Sequence, residues 1–230
     1  MHSRQDALMP REVTIRWRPG QAVSGRLAGP AQTRLPTMLL AHGAGAGQEH
    51  PGVAGLRDRL AGAGVGVLTF NYPYIEAGKR RPDSQVTLLD CHRAALEWLR
   101  AEAGNDVVLA GRSMGGRMGS YLAAGGEPVR GLVFYAYPLH PAGKPDRLRI
   151  DHLANVTVPM LFFSGTRDAL ARVDLIDEHL RPLRWATIEL IDDADHSFRV
   201  PKRTDRTLDE VLDWMTARTV DWMESVAGDE

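Results

Sequence analysis

The most informative segment of the sequence reads Val107-Val-Leu-Ala-Gly-Arg-Ser-Met-Gly-Gly116. Its first four residues are apolar and rich in valine, which is typical of a buried strand, and residues 114–124 are small and apolar enough to form a helix against a sheet. Between them, Gly111-x-Ser113-x-Gly115 has the spacing of a nucleophile elbow. Glycine is expected at both flanking positions, because a side chain there would collide with the neighbouring strand or helix.

The elbow interpretation gives Ser113 a chemical role. A tight turn from strand to helix raises the serine hydroxyl above the sheet, and the N-terminus of the following helix stabilises negative charge that develops nearby. The same glycine and serine spacing also arises by chance in glycine-rich turns. The predicted strand before Ser113 and the predicted helix after it favour the elbow.

Strand and helix patterns alternate on both sides of this segment. The sequence opens with a predicted antiparallel hairpin, residues 13–17 and 22–27, across a Pro-Gly turn. Further strands are predicted at 37–41, 65–70, 107–110, 129–135, 160–164 and 186–191, and helices at 53–60, 83–102, 114–124, 170–180 and from 204 or 207 onward. The helix at 83–102 is expected to have Val86, Leu89, Leu96 and Leu99 on its apolar side, and Thr207 and Glu210 have the spacing of a capping box at the start of the last helix. This order predicts one α/β domain over residues 1–230, with a doubly wound, mostly parallel eight-stranded sheet covered on both faces.

Length, composition and charge narrow the classes of function. The 230 residues are 43% hydrophobic, which suits a single globular domain. A net charge of -1 gives no electrostatic basis for binding nucleic acid or an anionic membrane. Cys91 is the only cysteine, so no internal disulfide can form. The N-terminus lacks an apolar signal core and no run is long enough to span a membrane, and we therefore expect a cytoplasmic protein.

Two polar residues follow later predicted strands directly. Asp168 comes after the strand at 160–164, and His196 comes after the strand at 186–191. A serine hydroxyl is a poor nucleophile until a base takes its proton, and that base needs an orienting acid. Because the carboxyl ends of parallel strands meet at one edge of a sheet, Ser113, His196 and Asp168 are expected to form a catalytic triad there.

The identity of the acid has alternatives within the sequence. Asp192, Asp193 and Asp195 lie in the same loop as His196 and are closer to it along the chain. However, the orienting carboxylate must approach the imidazole from a neighbouring strand end, which is the position of Asp168. We therefore predict Asp168 as the acid.

The chain order serine, aspartate, histidine is the order found in α/β-hydrolases. With these motifs the chain resembles the α/β-hydrolase superfamily along nearly its whole length, and in particular its small dienelactone-hydrolase-like members, including an uncharacterised subgroup with a G-R-S-M-G-G elbow. When the hairpin counts as two strands, the resemblance implies that Ser113 follows the fifth strand, Asp168 the seventh and His196 the eighth. It also implies the α/β-hydrolase fold. Residues 139–158, where members of the family that take long chains insert a cap, hold many charged and few large apolar side chains, so we expect no large cap domain. The alternative is a small apolar lid formed by Leu139, Leu148, Ile150 and Leu153.

The loop at 42–47 reads His-Gly-Ala-Gly-Ala-Gly and follows a predicted strand. It resembles the H-G-x-G turn of the family, which implies that the N–H groups of Ala44 and Met114 form the oxyanion hole. Two alternatives are a plain turn and a dinucleotide-binding loop. The dinucleotide fingerprint fails, because Gln48 stands at its third glycine and the next strand ends in Asn71 instead of an acid.

The substrate pocket is less well defined by the sequence. Asn71, Tyr72 and Tyr137 follow strands at the same edge and are predicted to contact substrate, although the aromatic rings are equally suited to packing over the sheet. The basic residues 79–81 either attract an anionic substrate or form a solvated loop, which is the more common case. Arg112 stands in the elbow where esterases commonly have histidine, which leaves the substrate class open.

These features predict a serine hydrolase that acts on a small carboxylic ester or thioester through an acyl-enzyme on Ser113. A peptidase-type hydrolase and a non-catalytic scaffold are the alternatives, and the intact triad with its loop argues against the scaffold. The histidines lack metal-ligand spacing, so we expect no metal and no cofactor. The expected partner is a small-molecule acyl substrate, and the oligomeric state stays open.

Overall fold

The computed structural model describes residues 9–30 and 34–227, so the N-terminal segment without a signal core lies outside the described residues. The strands are β1 (Arg11–Arg18), β2 (Gln21–Ala28), β3 (Thr37–Ala41), β4 (Val67–Phe70), β5 (Val107–Arg112), β6 (Gly131–Tyr135), β7 (Met160–Gly165) and β8 (Ala186–Ile191). They form one open sheet in the order β1-β2-β4-β3-β5-β6-β7-β8. The predicted eight-stranded α/β fold is confirmed.

The sheet is parallel from β4 to β8 and antiparallel at the hairpin edge. The predicted hairpin is present, and β2 also pairs antiparallel with β4. Strands β3 and β5 are buried along nearly their whole length, as expected for a parallel sheet with both faces covered. β4 begins two residues later than predicted, because the N–H of Val65 bonds the Leu60 carbonyl in the turn that ends the preceding helix.

The helices lie between the strands along the chain. They are α1 (Pro51–Gly62), α2 (Pro73–Glu76), α3 (Gln85–Ala103), α4 (Met114–Ala124), α5 (Val173–His179) and α6 (Leu208–Ala227), with a 3-10 helix at Asp151–Asn155. The predicted capping box begins α6: the Glu210 carboxylate accepts from the Thr207 N–H at 2.7 Å, and Thr207 Oγ1 accepts from the Glu210 N–H at 3.2 Å.

Helix α3 shows one error in the predicted apolar face. Its buried residues fall at helical spacing, namely Leu88, Cys91, His92, Ala95, Leu96 and Leu99. The sequence prediction also placed Val86 on this face, but Val86 is 66% exposed. Two residues before Leu88 correspond to about 200° of helix rotation, so Val86 points away from the sheet.

Two apolar cores cover the two faces of the sheet. On one face, α3, α4 and α5 pack over side chains such as Leu39, Leu109 and Phe134. On the other face, α1 and α6 pack over Leu40, Val108 and neighbouring residues. The elbow between β5 and α4 therefore stands at the middle of a rigid scaffold.

The segment between β6 and β7 forms no large cap domain. Leu139 and Leu153 are buried in the core and half-buried Ile150 packs against it, whereas half-buried Leu148 belongs to neither core. The 3-10 helix is attached to α4 by a 2.7 Å hydrogen bond between His152 Nε2 and Ser120 Oγ. The carboxyl edge of the sheet is therefore left without a thick cover at this point.

Candidate active site

Ser113 occupies a strained turn between β5 and α4. Its φ and ψ are 50° and -114°, a left-handed conformation that residues other than glycine rarely adopt. Such a conformation costs on the order of 1–3 kcal/mol and persists only where the surroundings enforce it. The turn has the conformation expected of a nucleophile elbow.

The flanking glycines are required by space, as the sequence predicts. A Cβ on Gly111 would lie 2.2 Å from the Gly116 nitrogen, and a Cβ on Gly115 would lie 2.5 Å from the Ala41 carbonyl oxygen. Both distances are far below van der Waals contact, and both partners are backbone atoms that cannot turn aside. The close approach of β3, β5 and α4 thus depends on glycine at both positions.

The structure brings Ser113, His196 and Asp168 into one hydrogen-bonded chain. Ser113 Oγ lies 3.0 Å from His196 Nε2, and His196 Nδ1 lies 2.8 Å from Asp168 Oδ2. The other carboxylate oxygen of Asp168 accepts from the Leu170 N–H at 2.7 Å. The Asp168 side chain is fully buried, whereas that of His196 is 26% exposed, so solvent and small molecules reach the imidazole.

The partners of His196 decide where its proton lies. An ionised carboxylate only accepts hydrogen bonds, so Nδ1 beside Asp168 carries a hydrogen. In the neutral imidazole Nε2 is then an acceptor, and the Ser113 hydroxyl donates to it. This arrangement is the one needed for His196 to take the serine proton.

The three aspartates in the histidine's own loop lie elsewhere. Asp195 Oδ1 accepts the N–H groups of Ser197 and Arg199, at 2.7 and 3.0 Å, and so shapes the loop. Asp193 forms an ion pair with Arg203, and Asp192 is exposed. Of the four candidate acids, Asp168 is the one bonded to the imidazole.

The loop after β3 lies directly against the elbow. A Cβ on Gly43 would lie 3.6 Å from Ser113 Cβ and 3.5 Å from the Arg112 carbonyl oxygen. Ala44 is exposed beside this contact, and Met114 follows Ser113 at the start of α4. Within residues 9–30 and 34–227, no acceptor bonds the N–H of either Ala44 or Met114. Both predicted oxyanion donors are therefore free to bind a ligand.

His42 holds this loop in place, a role that the sequence analysis missed. Its Nδ1 donates to the Gly43 carbonyl at 2.8 Å, and its Nε2 accepts from the Tyr72 N–H at 3.1 Å. The ring is fully buried, and burial lowers its pKa to about 4, so it stays neutral. The signal in the sequence was a histidine placed directly between a buried strand and a glycine-rich turn.

The three residues predicted to contact substrate form hydrogen bonds within the protein instead. Tyr72 is fully buried with its hydroxyl 3.0 Å from His92 Nδ1, and Tyr137 is buried with its hydroxyl donating to the Arg149 carbonyl at 2.9 Å. Both rings thus take the packing alternative. Asn71 accepts the Gln48 N–H at 2.9 Å and so braces the loop after β3. The basic residues 79–81 are exposed.

Arg112 connects the elbow to the histidine loop. Its Nη2 donates to the His196 carbonyl at 3.3 Å and to Ser197 Oγ at 3.1 Å. Burial lowers the pKa of this guanidinium, and neighbouring Asp195 opposes that effect. The sequence marked Arg112 as unusual for an esterase but gave no sign of this contact, which joins residues 84 and 85 positions apart.

Across residues 9–30 and 34–227, no group of three or more His, Cys, Asp or Glu side chains is placed to hold a metal ion. None of the helices in that part of the chain has the length and apolar character needed to cross a membrane.

Comparison with known proteins shows which family the chain matches. The model of the alpha/beta hydrolase domain family matches residues 34–224. Among solved structures, a protein of unknown function from Agrobacterium tumefaciens is similar with a TM-score of 0.76 and 19% identity, covering 94% of this chain and 97% of that chain. A serine hydrolase without a lid from Xanthomonas campestris has a TM-score of 0.71 and 20% identity, covering 93% and 95%.

A third similar structure is dienelactone hydrolase from Anabaena variabilis. Its TM-score is 0.70 and its identity 21%, covering 93% of this chain and 98% of that chain. At 19–21% identity, these three likenesses show the fold alone. The match to the family model covers β3 to β8, the loop after β3 and the loops that carry Asp168 and His196.

Proposed function

The chain belongs to the alpha/beta hydrolase domain family, and from that premise we propose that it is a serine hydrolase of small carboxylic esters or thioesters. The observation that carries the proposal is the continuous hydrogen-bonded chain from Ser113 through His196 to Asp168. Its proton placement is the one a nucleophilic serine needs, and Ser113 sits in strained backbone geometry beside two free N–H groups.

The proposed reaction starts with attack by Ser113 Oγ on the carbonyl carbon of the substrate. His196 Nε2 takes the serine proton, and buried Asp168 stabilises the imidazolium that forms. The carbonyl oxygen gains negative charge and accepts hydrogen bonds from the N–H groups of Met114 and Ala44. Collapse of this intermediate expels the alcohol or thiol, which receives the proton from His196 and leaves an acyl group on Ser113.

Water then releases the acyl group by the same steps. His196 removes a proton from the water as it attacks the acyl carbonyl, and returns the proton to Ser113 Oγ when the bond to the serine breaks. The partial exposure of the His196 side chain supports this step, because water has access to Nε2 once the leaving group has departed.

Active-site labelling tests the nucleophile. A fluorophosphonate should form one adduct on Ser113, identified by peptide mass spectrometry, because the reagent captures only an activated serine. The Ser113→Ala protein should stay unlabelled, and Ser120→Ala, which removes a second serine bonded to a histidine, should label like wild type. Labelling that persists in Ser113→Ala, or none in wild type, contradicts the proposal.

The short segment between β6 and β7 supports a preference for small acyl groups. Because Leu139 and Leu153 are buried in the core, they offer no surface to a long acyl chain. Each methylene buried in a pocket would contribute about 0.8 kcal/mol. With 4-nitrophenyl esters from acetate to decanoate, we expect kcat/KM to stop rising near butyrate. A steady increase through octanoate would show that a deep apolar slot exists.

A further inference from the structure

A cavity of about 270 Å³ lies beside the candidate triad. Its wall is formed by the start of α1, the elbow, the loop that carries His196 and the first turns of α6. The triad side chains do not line the cavity, but two of the lining residues are their chain neighbours: Arg112 directly precedes Ser113, and Ser197 directly follows His196. The proposed reaction uses none of its charged groups.

Four basic side chains line this cavity, namely His50, Arg59, Arg112 and Arg199, and Arg59 forms ion pairs with Asp209 and Asp213. Among the residues that the structure describes, no carboxylate lies within ion-pair distance of the Arg112 or Arg199 guanidinium. The other three groups lie close enough to interact: after burial, the charges of Arg112 and Arg199 are the causes that lower the pKa of His50. Two guanidinium groups without a carboxylate in an ion pair, facing one space, are an arrangement that an anion stabilises.

The carboxylates near the cavity are bound to other groups. Asp168 binds His196 and the Leu170 N–H, and Asp195 Oδ1 accepts two backbone N–H groups of its own loop. Asp209, which lines the far side of the cavity, pairs with Arg59. Asp195 and Asp168 attract the Arg112 guanidinium from a distance, but among the described residues no carboxylate forms an ion pair with Arg112 or Arg199.

The donors are also arranged for an anion. His50 Nδ1 accepts the Gly52 N–H at 3.1 Å, so the hydrogen of the neutral ring lies on Nε2 and His50 is a donor in either protonation state. A Cβ on Gly52 would lie 3.7 Å from Arg112 Cζ, and its absence keeps the space in front of the guanidinium open. Arg112 is itself fixed by its two hydrogen bonds to the histidine loop.

We propose that this cavity binds a carboxylate or phosphate group carried by the substrate, which makes the preferred substrate an anionic ester or thioester. This inference rests on the proposed function, since it assigns a specificity to the same site. Arg112 and Arg199 bind the anionic oxygens and His50 adds a third donor. The side chains of Leu208 and Leu212 add an apolar part to the wall of the same cavity.

The first experiment measures anion binding without turnover. Inorganic phosphate is titrated into the Ser113→Ala protein while the imidazole proton signals of His50, assigned with His50→Gln, are followed by NMR. We expect a saturable shift and a higher pKa for His50 in phosphate, because a bound anion favours the imidazolium. Arg199→Gln should weaken phosphate binding at least about tenfold, since a charge-assisted hydrogen bond is lost.

A matched arginine serves as the control. Arg184 is exposed, stacks on Trp185 and lies just before the N-terminal end of β8, whereas the candidate site lies at the carboxyl ends of the strands. Arg184→Gln makes the same change in net charge as Arg199→Gln and should leave phosphate binding as in wild type. Equal weakening by both variants would assign the effect to overall charge and overturn the site.

The second experiment tests whether the anion belongs to the substrate. The esters 4-nitrophenyl hemisuccinate and 4-nitrophenyl butyrate share a four-carbon acyl chain and differ in the terminal carboxylate. We expect a higher kcat/KM for the hemisuccinate than for the butyrate, because its KM is lower. Arg199→Gln should lower kcat/KM for the hemisuccinate about tenfold, and Arg184→Gln should leave it unchanged. Phosphate should compete with the hemisuccinate.

The outcomes separate the two proposals. An unchanged His50 signal in phosphate overturns the anion site. Saturable phosphate binding without a preference for the hemisuccinate overturns the substrate assignment, because the anion then comes from solution. If fluorophosphonate fails to label Ser113, the proposed function fails and the substrate assignment with it, while the phosphate titration is still read in the Ser113→Ala protein.

Discussion

Two serines on the same short stretch of chain each lie within hydrogen-bond distance of a histidine, but the two pairs differ in their surroundings. Ser113 precedes α4 and lies 3.0 Å from His196 Nε2, and Ser120 lies within α4 at 2.7 Å from His152 Nε2. By distance alone, the second pair is the better hydrogen bond. The direction of donation nevertheless differs: Ser113 donates to His196, whereas Ser120 accepts from His152.

The groups around each pair set that direction. Ser120 Oγ donates to the Arg117 carbonyl at 2.8 Å, so it has no hydrogen left for the imidazole and accepts from His152 Nε2 instead. At Ser113 the carboxylate on the far side of the ring forces the reverse arrangement. The comparison teaches that the third partner, and not the serine–histidine distance, identifies a candidate nucleophile.

The two imidazoles also differ in their surroundings. His152 stacks on Tyr121 at 3.8 Å between ring centroids, and burial, followed by the charge of Arg117, lowers its pKa to about 4. It therefore remains neutral near pH 7 and attaches the 3-10 helix to α4. His196 instead faces solvent on one side and a buried carboxylate on the other.

The largest effect is expected from removing the partner that distinguishes the pairs. Asp168→Asn should lower kcat by about 10⁴-fold, because the amide no longer holds the imidazole in the required tautomer or stabilises its charge. Asp193→Asn, which removes a carboxylate of the same loop, is the control and should have a far smaller effect. If Asp168→Asn lowers kcat only slightly and Asp193→Asn lowers it strongly, the orienting acid is Asp193 of the histidine loop and not Asp168.

The buried neutral imidazoles should make stability depend on pH. His42 and His92 are fully buried, and burial lowers their pKa to about 4 and about 3. Since histidine in the unfolded chain titrates near 6.5, the unfolded state binds more protons below that pH, and stability is lost as pH falls from 6.5 towards these values. Each ring contributes up to about 1.4 kcal/mol per pH unit in that window.

Urea unfolding at pH 7.5, 6.5, 5.5 and 4.5 measures this slope. Most carboxylates are still ionised above pH 4.5, so the window reports mainly on the histidines. His92→Gln should show a shallower decline than wild type, since one titrating ring is removed. A free energy of unfolding that stays constant from pH 6.5 to 4.5 would mean that these rings are not held neutral.

The smallest effect on activity is expected at the second pair. Ser120→Ala removes the acceptor of the His152 N–H and should lower the free energy of unfolding by about 1–2 kcal/mol. Its kcat/KM for short esters should stay close to wild type, because neither residue contacts the proposed reaction path. A loss of activity as large as that of Asp168→Asn would show that Ser120 and His152 take part in catalysis.

The sequence alone predicts the sheet and the sites at its edge well. The elbow, the hairpin and the α6 capping box depend on local patterns and fixed spacings, and these elements occur where expected. Strand order along the chain was enough to predict that Ser113, Asp168 and His196 would meet, because all three follow strands of one parallel sheet.

The remaining features depend on contacts between distant segments. The inward packing of Tyr72 and Tyr137 follows from buried hydrogen-bond partners that no local pattern marks. The contact of Arg112 with the histidine loop, and the meeting of His50 with Arg199, arise only when α1, the elbow and α6 pack together. Val86 was misplaced because an apolar residue in the first turn of a helix fits more than one face.

The backbone of Ser113 has a consequence for how this chain changes over generations. A left-handed serine costs stability that glycine would recover at that position, so mutation tends to remove the serine unless selection opposes it. The flanking glycines cannot be replaced in the same way, because a side chain at Gly111 or Gly115 would collide with backbone atoms. A lineage that stopped using the hydroxyl would therefore be expected to keep the flanking glycines and lose the serine. This chain has both.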